Sequence, residues 1–508
     1  MSEQLPVLDR ISDYVAHWAR ERPDREALVD AVTRTTYREL REEVDRTAAA
    51  LVAAGVRHGD RVAMLGRPRP ACFAHFLATA STGAIWVGLN PKYTPDEVAA
   101  VVEDCRPVLL FALLDLDEDT VAVLNRAAAA VPGLRVVVER DHPGLGEHVL
   151  LAELLEQRCD ETALAAARAA VAGADAAAMI YTSGTTGRSK GALVPHRGLA
   201  RCGVIQSSRW YGDAPRKLCD LPLNHIGGLG DICTSILTAG GTTVFMDRFD
   251  PAGALRTVEA ERLTHLYCIP TQLLAMVATP EWEHCDLSSL EWILWGGAAA
   301  PQSLLEKLAR RVPRLGTSYS LTESVGSVTY TDEDAPLDVL SWSVGKVDPR
   351  YDVRVDESGE ILIRGDHITL GYFGREEATR EAIDADGWLH TGDLARIEPD
   401  GNVRLVGRLK EMYKSGGYNV YPREVESALE EHPAVTLASV VGVPDERWGE
   451  IGVAFVVAAG VDGAELEAYL RERLANYKIP KQIRIETELP KLPIGKVDKA
   501  ALRRAVTA

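Results

Sequence analysis

The chain has 508 residues, of which 46% are hydrophobic, 26% charged and 6% aromatic, which excludes a disordered or collagen-like polymer. At about 100–200 residues per domain it is long enough for several units, each with its own core. Acidic residues outnumber basic ones 74 to 56, a formal charge of −18, so partners held by a general positive field, nucleic acid or anionic lipid, are excluded and any bound phosphate needs a local device.

Residues 1–19 mix Glu3, Asp9, Arg10 and Asp13 into their apolar positions and lack the apolar region of a secretory signal. No apolar run reaches the roughly 18–20 residues that cross a bilayer, so no membrane partner is expected. Eight cysteines are scattered from Cys72 to Cys285, without a C-x-x-C pair or a histidine at zinc-ligand spacing. Buried reduced thiols in a cytoplasmic protein are the expectation.

Residues 9–22 predict an amphipathic helix, 37–54 a second one stopped by Gly55, and 61–65 a short buried strand. Alternation continues through 72–83, 85–89, 95–105 and 108–112, which implies crossover units and largely parallel sheets. The Ala-rich stretch 160–178 reads as a surface helix and linker. Beyond about Ser341 the character changes to short strands at 353–355, 360–363 and 403–406, separated by Glu357-Ser358-Gly359 and Pro399-Asp400-Gly401. A polar junction, Gly407-Arg408-Leu409-Lys410-Glu411, then leads through Ser415-Gly416-Gly417 into a tail with helix, strand and helix signals at 422–431, 435–443 and 464–474. The layout predicts an α/β fold with a large N-terminal domain, residues 1–409, a hinge, and a small mobile α+β C-terminal domain, residues 410–508.

The most informative segment is Tyr181-Thr182-Ser183-Gly184-Thr185-Thr186-Gly187-Arg188-Ser189-Lys190-Gly191, which follows an apolar strand at 176–181. Glycines admit backbone N–H groups close to an anion, hydroxyls add donors, and the lysine adds a point charge, so this is a phosphate cradle. The spacing is G-x-x-G-x-x-K, no Ser or Thr follows the lysine, and 192–195 reads as extended, so it is not a Walker A loop on a helix dipole.

The cradle resembles the phosphate loop of the adenylate-forming superfamily: acyl-CoA synthetases, adenylation domains of nonribosomal peptide synthetases, and beetle luciferases. Four further stretches resemble that family's motifs in the same order: Tyr319-Ser320-Leu321-Thr322-Glu323, His390-Thr391-Gly392-Asp393, Gly407-Arg408-Leu409-Lys410 and Pro493-Ile494-Gly495-Lys496. Five ordered motifs cover essentially the whole chain. The resemblance implies two α/β sheet subdomains plus a small β-rich subdomain in the large domain, with ATP, Mg²⁺ and CoA as cofactors. By the same resemblance, Thr182, Ser183, Gly184, Thr185, Thr186, Gly187 and Lys190 would hold the β- and γ-phosphates, and Thr322 the α-phosphate. Glu323 would be the Mg²⁺ ligand, a hard cation favouring a carboxylate. Tyr319 would stack on adenine beside Gly297 and Ala298, and Asp393, with Arg408 nearby, would hold the ribose hydroxyls. Lys496 would be the adenylation lysine, Lys410 the hinge, and Gly416 and Gly417 a narrow passage for the pantetheine arm, although a plain hairpin turn would carry the same two glycines.

In Leu221-Pro222-Leu223-Asn224-His225-Ile226-Gly227-Gly228, the resemblance places His225 beside the substrate carboxylate; a core histidine is the alternative. Ile226 stands where amino-acid-activating domains carry Asp, and an α-ammonium there would be buried without compensation, which disfavours amino acids. Ser320 replaces the family's usual Gly, and Trp295 precedes Gly296-Gly297; both are expected to put bulk into the acyl channel and exclude a long alkyl chain. Asp231 either meets a polar or cationic substrate group or caps a helix end. The expected activity is a ligase joining a small or medium carboxylic acid, aliphatic or aryl, to CoA through an acyl-adenylate, by a monomer or homodimer. Alternatives are loading of a carrier-protein phosphopantetheine in trans, a luciferase-like oxygenase, and a non-catalytic nucleotide binder; the last is opposed by joint retention of Lys190, Glu323, Asp393 and Lys496.

Overall fold

A computed structural model describes residues 5–182, 189–492 and 496–507. Two seven-stranded sheets dominate the large N-terminal domain. One runs His148–Leu150, Arg135–Val138, Leu109–Leu113, Arg61–Gly66, Ile85–Leu89, Ala176–Thr182, Lys190–Pro195. It is parallel except for its final pair, Ala176–Thr182 against Lys190–Pro195, which is an antiparallel hairpin. The second runs Arg314–Thr317, Trp292–Trp295, His265–Cys268, Arg216–Cys219, Thr242–Phe245, Glu26–Val29, Arg34–Thr36 and is likewise parallel up to its last pair.

The strands are parallel because helices connect them. Pro70–Ser81 and Pro95–Cys105 start on prolines at the first turn, where the missing N–H leaves no bond unmade, and Thr94 caps the latter through a capping box with Glu97. Central strands such as Leu109–Leu113 are buried on both faces, as parallel sheets covered by helices require.

The expected change of character follows. An antiparallel six-stranded sheet, Thr329–Tyr330, Ser343–Val347, Asn402–Arg408, Trp388–Ile397, Glu360–Arg364, Asp352–Val355, closes the large domain. After Arg408 the chain turns through residues 409–412, with Glu411 and Met412 N–H donating to the Arg408 carbonyl. A separate small sheet begins at Tyr413–Ser415 and includes Tyr418–Val420, Val435–Asp445, Gly449–Ala458 and Gln482–Glu486. Its own apolar cluster, Val425, Leu429, Val440, Val456, Leu466 and Leu470 among others, gives the tail an independent core. Among the described residues no helix is long and apolar enough to cross a membrane.

Candidate active site

A cavity of about 1860 Å³ opens where the ends of these bodies meet. It is large enough for a nucleotide and a second ligand together, since a drug-sized pocket is about 300–1,000 Å³. Its wall includes Thr182, Lys190, His225, Ile226, Gly297, Ser320, Thr322, Glu323, Arg408, Lys410 and Lys496, residues drawn from segments more than 300 positions apart in sequence. Ser183, Gly184, Thr185, Thr186 and Gly187 lie outside the described residues. The loop that contains them joins the two antiparallel strands Ala176–Thr182 and Lys190–Pro195, so no helix follows the cradle.

Lys496 comes from the small domain and seats against the large one. Gly297 has φ +81°, a left-handed conformation, and a Cβ there would stand 3.0 Å from Lys496 Cε and 3.4 Å from Nζ. Only glycine gives the lysine that approach without strain. Burial, then the Arg408 guanidinium, lower the Lys496 ammonium from its usual range, while Asp393 opposes them. One turn further on, Lys499 Nζ bridges Glu411 at 2.6 Å and Glu426 at 2.9 Å, tying the lysine segment to the turn that follows Arg408.

His225 meets the same charge from the other side. Its Nδ1 accepts the Gly227 N–H at 3.1 Å, and burial with the Lys496 charge brings its pKa down to about 4. The imidazole is therefore neutral, with its proton on Nε2, a donor suited to an oxygen and not a general acid at neutral pH.

Glu323 is oriented by Tyr372, whose hydroxyl donates to Oε1 at 2.7 Å, and Lys190 Nζ sits 5.1 Å from the Tyr372 ring. One ring thus positions both the acidic and the basic side chain. Among the described residues the second oxygen of Glu323 has no hydrogen-bond partner, and no cluster of three or more His, Cys, Asp or Glu could hold a metal unaided.

Asp393 and Tyr319 lie one layer behind the wall. Arg408 Nε contacts Asp393 Oδ1 at 2.6 Å, and the Tyr319 hydroxyl donates to Oδ2 at 2.7 Å. The ring expected to stack on adenine is 5% exposed. Ala298 is exposed next to Gly297 but is not part of the cavity wall. Gly416 and Gly417, at φ +59° and +87°, form the two-residue turn between Tyr413–Ser415 and Tyr418–Val420, the geometry of a hairpin turn that demands glycine. In this arrangement they are away from the cavity wall.

Two sequence expectations are corrected. Trp295 does not plug the channel: it is fully buried on the opposite face of its sheet, packed with Leu218, Cys268, Leu304 and Leu305. Side chains alternate along the strand Trp292–Trp295, and it is Trp292 and Leu294 that share the face of Tyr267 and Tyr319. Tyr267 is the ring that reaches the cavity, its hydroxyl only 2.4 Å from where a Gly296 Cβ would stand. Asp231 caps no helix end. It lies inside the helix Gly227–Thr234, is 2% exposed, and belongs to the cavity wall.

Tyr372, Tyr267 and Lys217 were not singled out in the sequence. Lys217 stands between Arg216 and Leu218 and reads as a solvated strand end, and the tyrosines look like ordinary core aromatics until the fold closes.

The chain matches the family described as AMP-binding enzyme over residues 15–373, and its companion, AMP-binding enzyme C-terminal domain, over residues 424–496. It is 39% identical over 500 residues to "3-[(3aS,4S,7aS)-7a-methyl-1,5-dioxo-octahydro-1H-inden-4-yl]propanoyl:CoA ligase" of Mycobacterium tuberculosis, covering 95% of this chain and 96% of that one. It is 36% identical over 500 residues to feruloyl-CoA synthase of an Amycolatopsis species, covering 96% and 97%. A solved anthranilate CoA ligase in complex with anthranoyl-AMP superposes with a TM-score of 0.86 at 25% identity, covering 99% of this chain and 98% of the other. With both domains matched in order and the lysine of the second seated in the cavity of the first, this chain belongs to the AMP-binding enzyme family of the adenylate-forming superfamily.

Proposed function

We propose that this chain is an AMP-forming carboxylate–CoA ligase acting on a medium-sized, ring-bearing acid. The observation that carries the reading is Lys496, brought from the C-terminal domain to within reach of the acid-side His225 and the nucleotide-side Arg408 and Asp393. Carboxylate and triphosphate are both anions, so the reaction requires fixed positive charge where they meet, and a single pre-placed donor of this kind is worth about 3–4 kcal/mol.

In the first half-reaction His225 Nε2–H holds one carboxylate oxygen. The other forms a bond to the α-phosphorus, the bond to the bridging oxygen breaks, and pyrophosphate leaves. Lys496 stabilises charge on both the acid and the α-phosphate, and Lys190 and Thr182 steady the outer phosphates. Glu323 would hold Mg²⁺, which when bound neutralises triphosphate charge. In the second half-reaction the tail turns about Lys410, withdrawing Lys496 and bringing the Gly416-Gly417 hairpin to the pantetheine arm. The CoA sulfur then bonds to the acyl carbon and AMP departs. The relatives' names specify feruloyl and hydrindane-propanoyl groups, which supports a ring-bearing acid of moderate length for this chain.

The test is ATP–pyrophosphate exchange across a panel of aryl and alicyclic acids, followed by acyl-CoA formation with free CoA. Exchange with at least one acid and a CoA thioester product are expected. An enzyme that loads a phosphopantetheine carrier but ignores CoA would replace the acceptor, and no exchange with any acid would remove the ligase reading altogether.

A further inference from the structure

The acyl end of the cavity holds a buried charge system that the adenylation chemistry does not use. Asp231 projects from the helix Gly227–Thr234, which is wound as a π-helix, a form concentrated at functional sites. One oxygen of its carboxylate, Oδ2, is short of partners among the described residues. Ser327 donates to the carboxylate from both its Oγ, which meets Oδ1 at 3.1 Å, and its backbone N–H, whereas Oδ2 has only Ser320 Oγ at 3.5 Å. An ionised carboxylate has about four acceptor positions, and leaving them empty in a buried site is expensive.

The counter-charge is present but does not fill them. Lys217 is fully buried, and its Nζ donates to Tyr211 Oη at 2.6 Å and to the backbone carbonyl of Asp231 at 2.7 Å. The ammonium also lies 4.9 Å from the Tyr267 ring and 5.1 Å from the Tyr211 ring. Among the described residues no salt bridge joins it to the Asp231 carboxylate. Asp231 is thus balanced in charge yet open as an acceptor, on the wall of the cavity. The same wall includes the apolar side chains of Ile226 and Ile269 and the Tyr267 ring. His225 stands six positions before Asp231, just ahead of the helix Gly227–Thr234.

We propose that Asp231 selects acids whose acyl group carries a hydrogen-bond donor (a hydroxyl, a ring N–H or an amine) at the end remote from the carboxylate. The donor completes the acceptor set of a carboxylate that Lys217 keeps ionised, while the body of the acyl group lies against Ile226 and Tyr267. This rests on the ligase reading, because His225 marks the carboxylate end only if the cavity activates an acid.

The experiment uses matched pairs: 4-hydroxybenzoate, 4-hydroxyphenylacetate and 3-(4-hydroxyphenyl)propanoate, each beside its deoxy and its methyl-ether counterpart. For the best-fitting length, the intact enzyme should favour the hydroxy acid over both counterparts on the order of 100-fold in kcat/KM for pyrophosphate exchange. Asp231→Leu should erase that ratio and Asp231→Asn should leave an intermediate one; a role confined to folding would lower all acids together and leave the ratio alone. Equal use of hydroxy and deoxy acids by the intact enzyme, preference for the ether, or a ratio that survives Asp231→Leu would overturn the proposal while the ligase reading stands. Absence of exchange with every acid would instead overturn the ligase reading, and this proposal with it.

Discussion

At the scale of single residues, Lys496 and Glu323 illustrate two ways of preparing charge. Glu323 is fixed by a neutral hydroxyl, so its orientation is set while its capacity for a cation is kept. Lys496 packs against a glycine and, among the described residues, makes no salt bridge, a placement that suits a role towards substrate. Because the lysine bears on charge in one half-reaction, Lys496→Ala should lower adenylation by about 10²-fold or more, while thioester formation from supplied acyl-AMP largely survives. Single-turnover assays of the two half-reactions check this, and an equal loss in both would assign the lysine elsewhere. The residue scale is also where sequence reading was least secure. Trp295 and Tyr267 are both aromatic residues near Gly296, but adjacency along a strand says nothing of the face, and neighbouring positions point to opposite sides.

Among elements, the swivel proposed for the tail rests on the junction at residues 408–412. The turn closes through Glu411 and Met412 N–H to the Arg408 carbonyl, so proline at position 410 removes neither bond but fixes φ. Lys410→Pro should therefore retain pyrophosphate exchange and lose most acyl-CoA formation, measured side by side. An unchanged overall rate would mean that both reactions occur in one arrangement. The Gly416-Gly417 hairpin belongs to the same argument. Seen here it is a turn, as its two positive φ values require, and a passage function would come only in a second arrangement. Elements were largely legible from periodicity: the strand Ile85–Leu89 and the helix Pro95–Cys105 fall where the alternation placed them. What periodicity could not supply was the wide winding of Gly227–Thr234, since a π-turn shifts which residues share a face and so put Asp231 on the cavity instead of at a cap.

Taken as a whole molecule, the protein carries an acid sensitivity unrelated to its surface charge. Five histidines, the buried His75, His196, His265 and His367 and the cavity-wall His225, have pKa values brought down to about 3–4, chiefly by desolvation. Unfolding frees each to take a proton below its ordinary value near 6.5, so their neutral burial stabilises the fold less as pH falls. Asp220 and Asp231, raised to about 7 and about 6 by burial, act in the opposite sense, since they hold protons that the unfolded chain would release. With five histidines set against two carboxylates, these groups on balance take up protons on unfolding as pH falls below about 6.5, so their contribution to stability falls with pH. Denaturation midpoints at pH 7, 6 and 5 should fall with accelerating steps, and a flat profile to pH 4.5 would contradict the buried neutral state. The domain layout was readable because crossover alternation stops at the antiparallel sheet; apart from His225 the histidines were not, because their burial is a property of packing between distant segments.

The pairing of Lys499 with Glu411 and Glu426 has a mechanical meaning. It braces the turn after Arg408 to the helix that begins at Lys499, so on the proposed mechanism a rotation at Lys410 would be delivered to Lys496, 86 residues later, through a pinned connection. On that proposal the tail would work as a crank with its handle pinned to its axle, its timing set by a joint that never touches the acid.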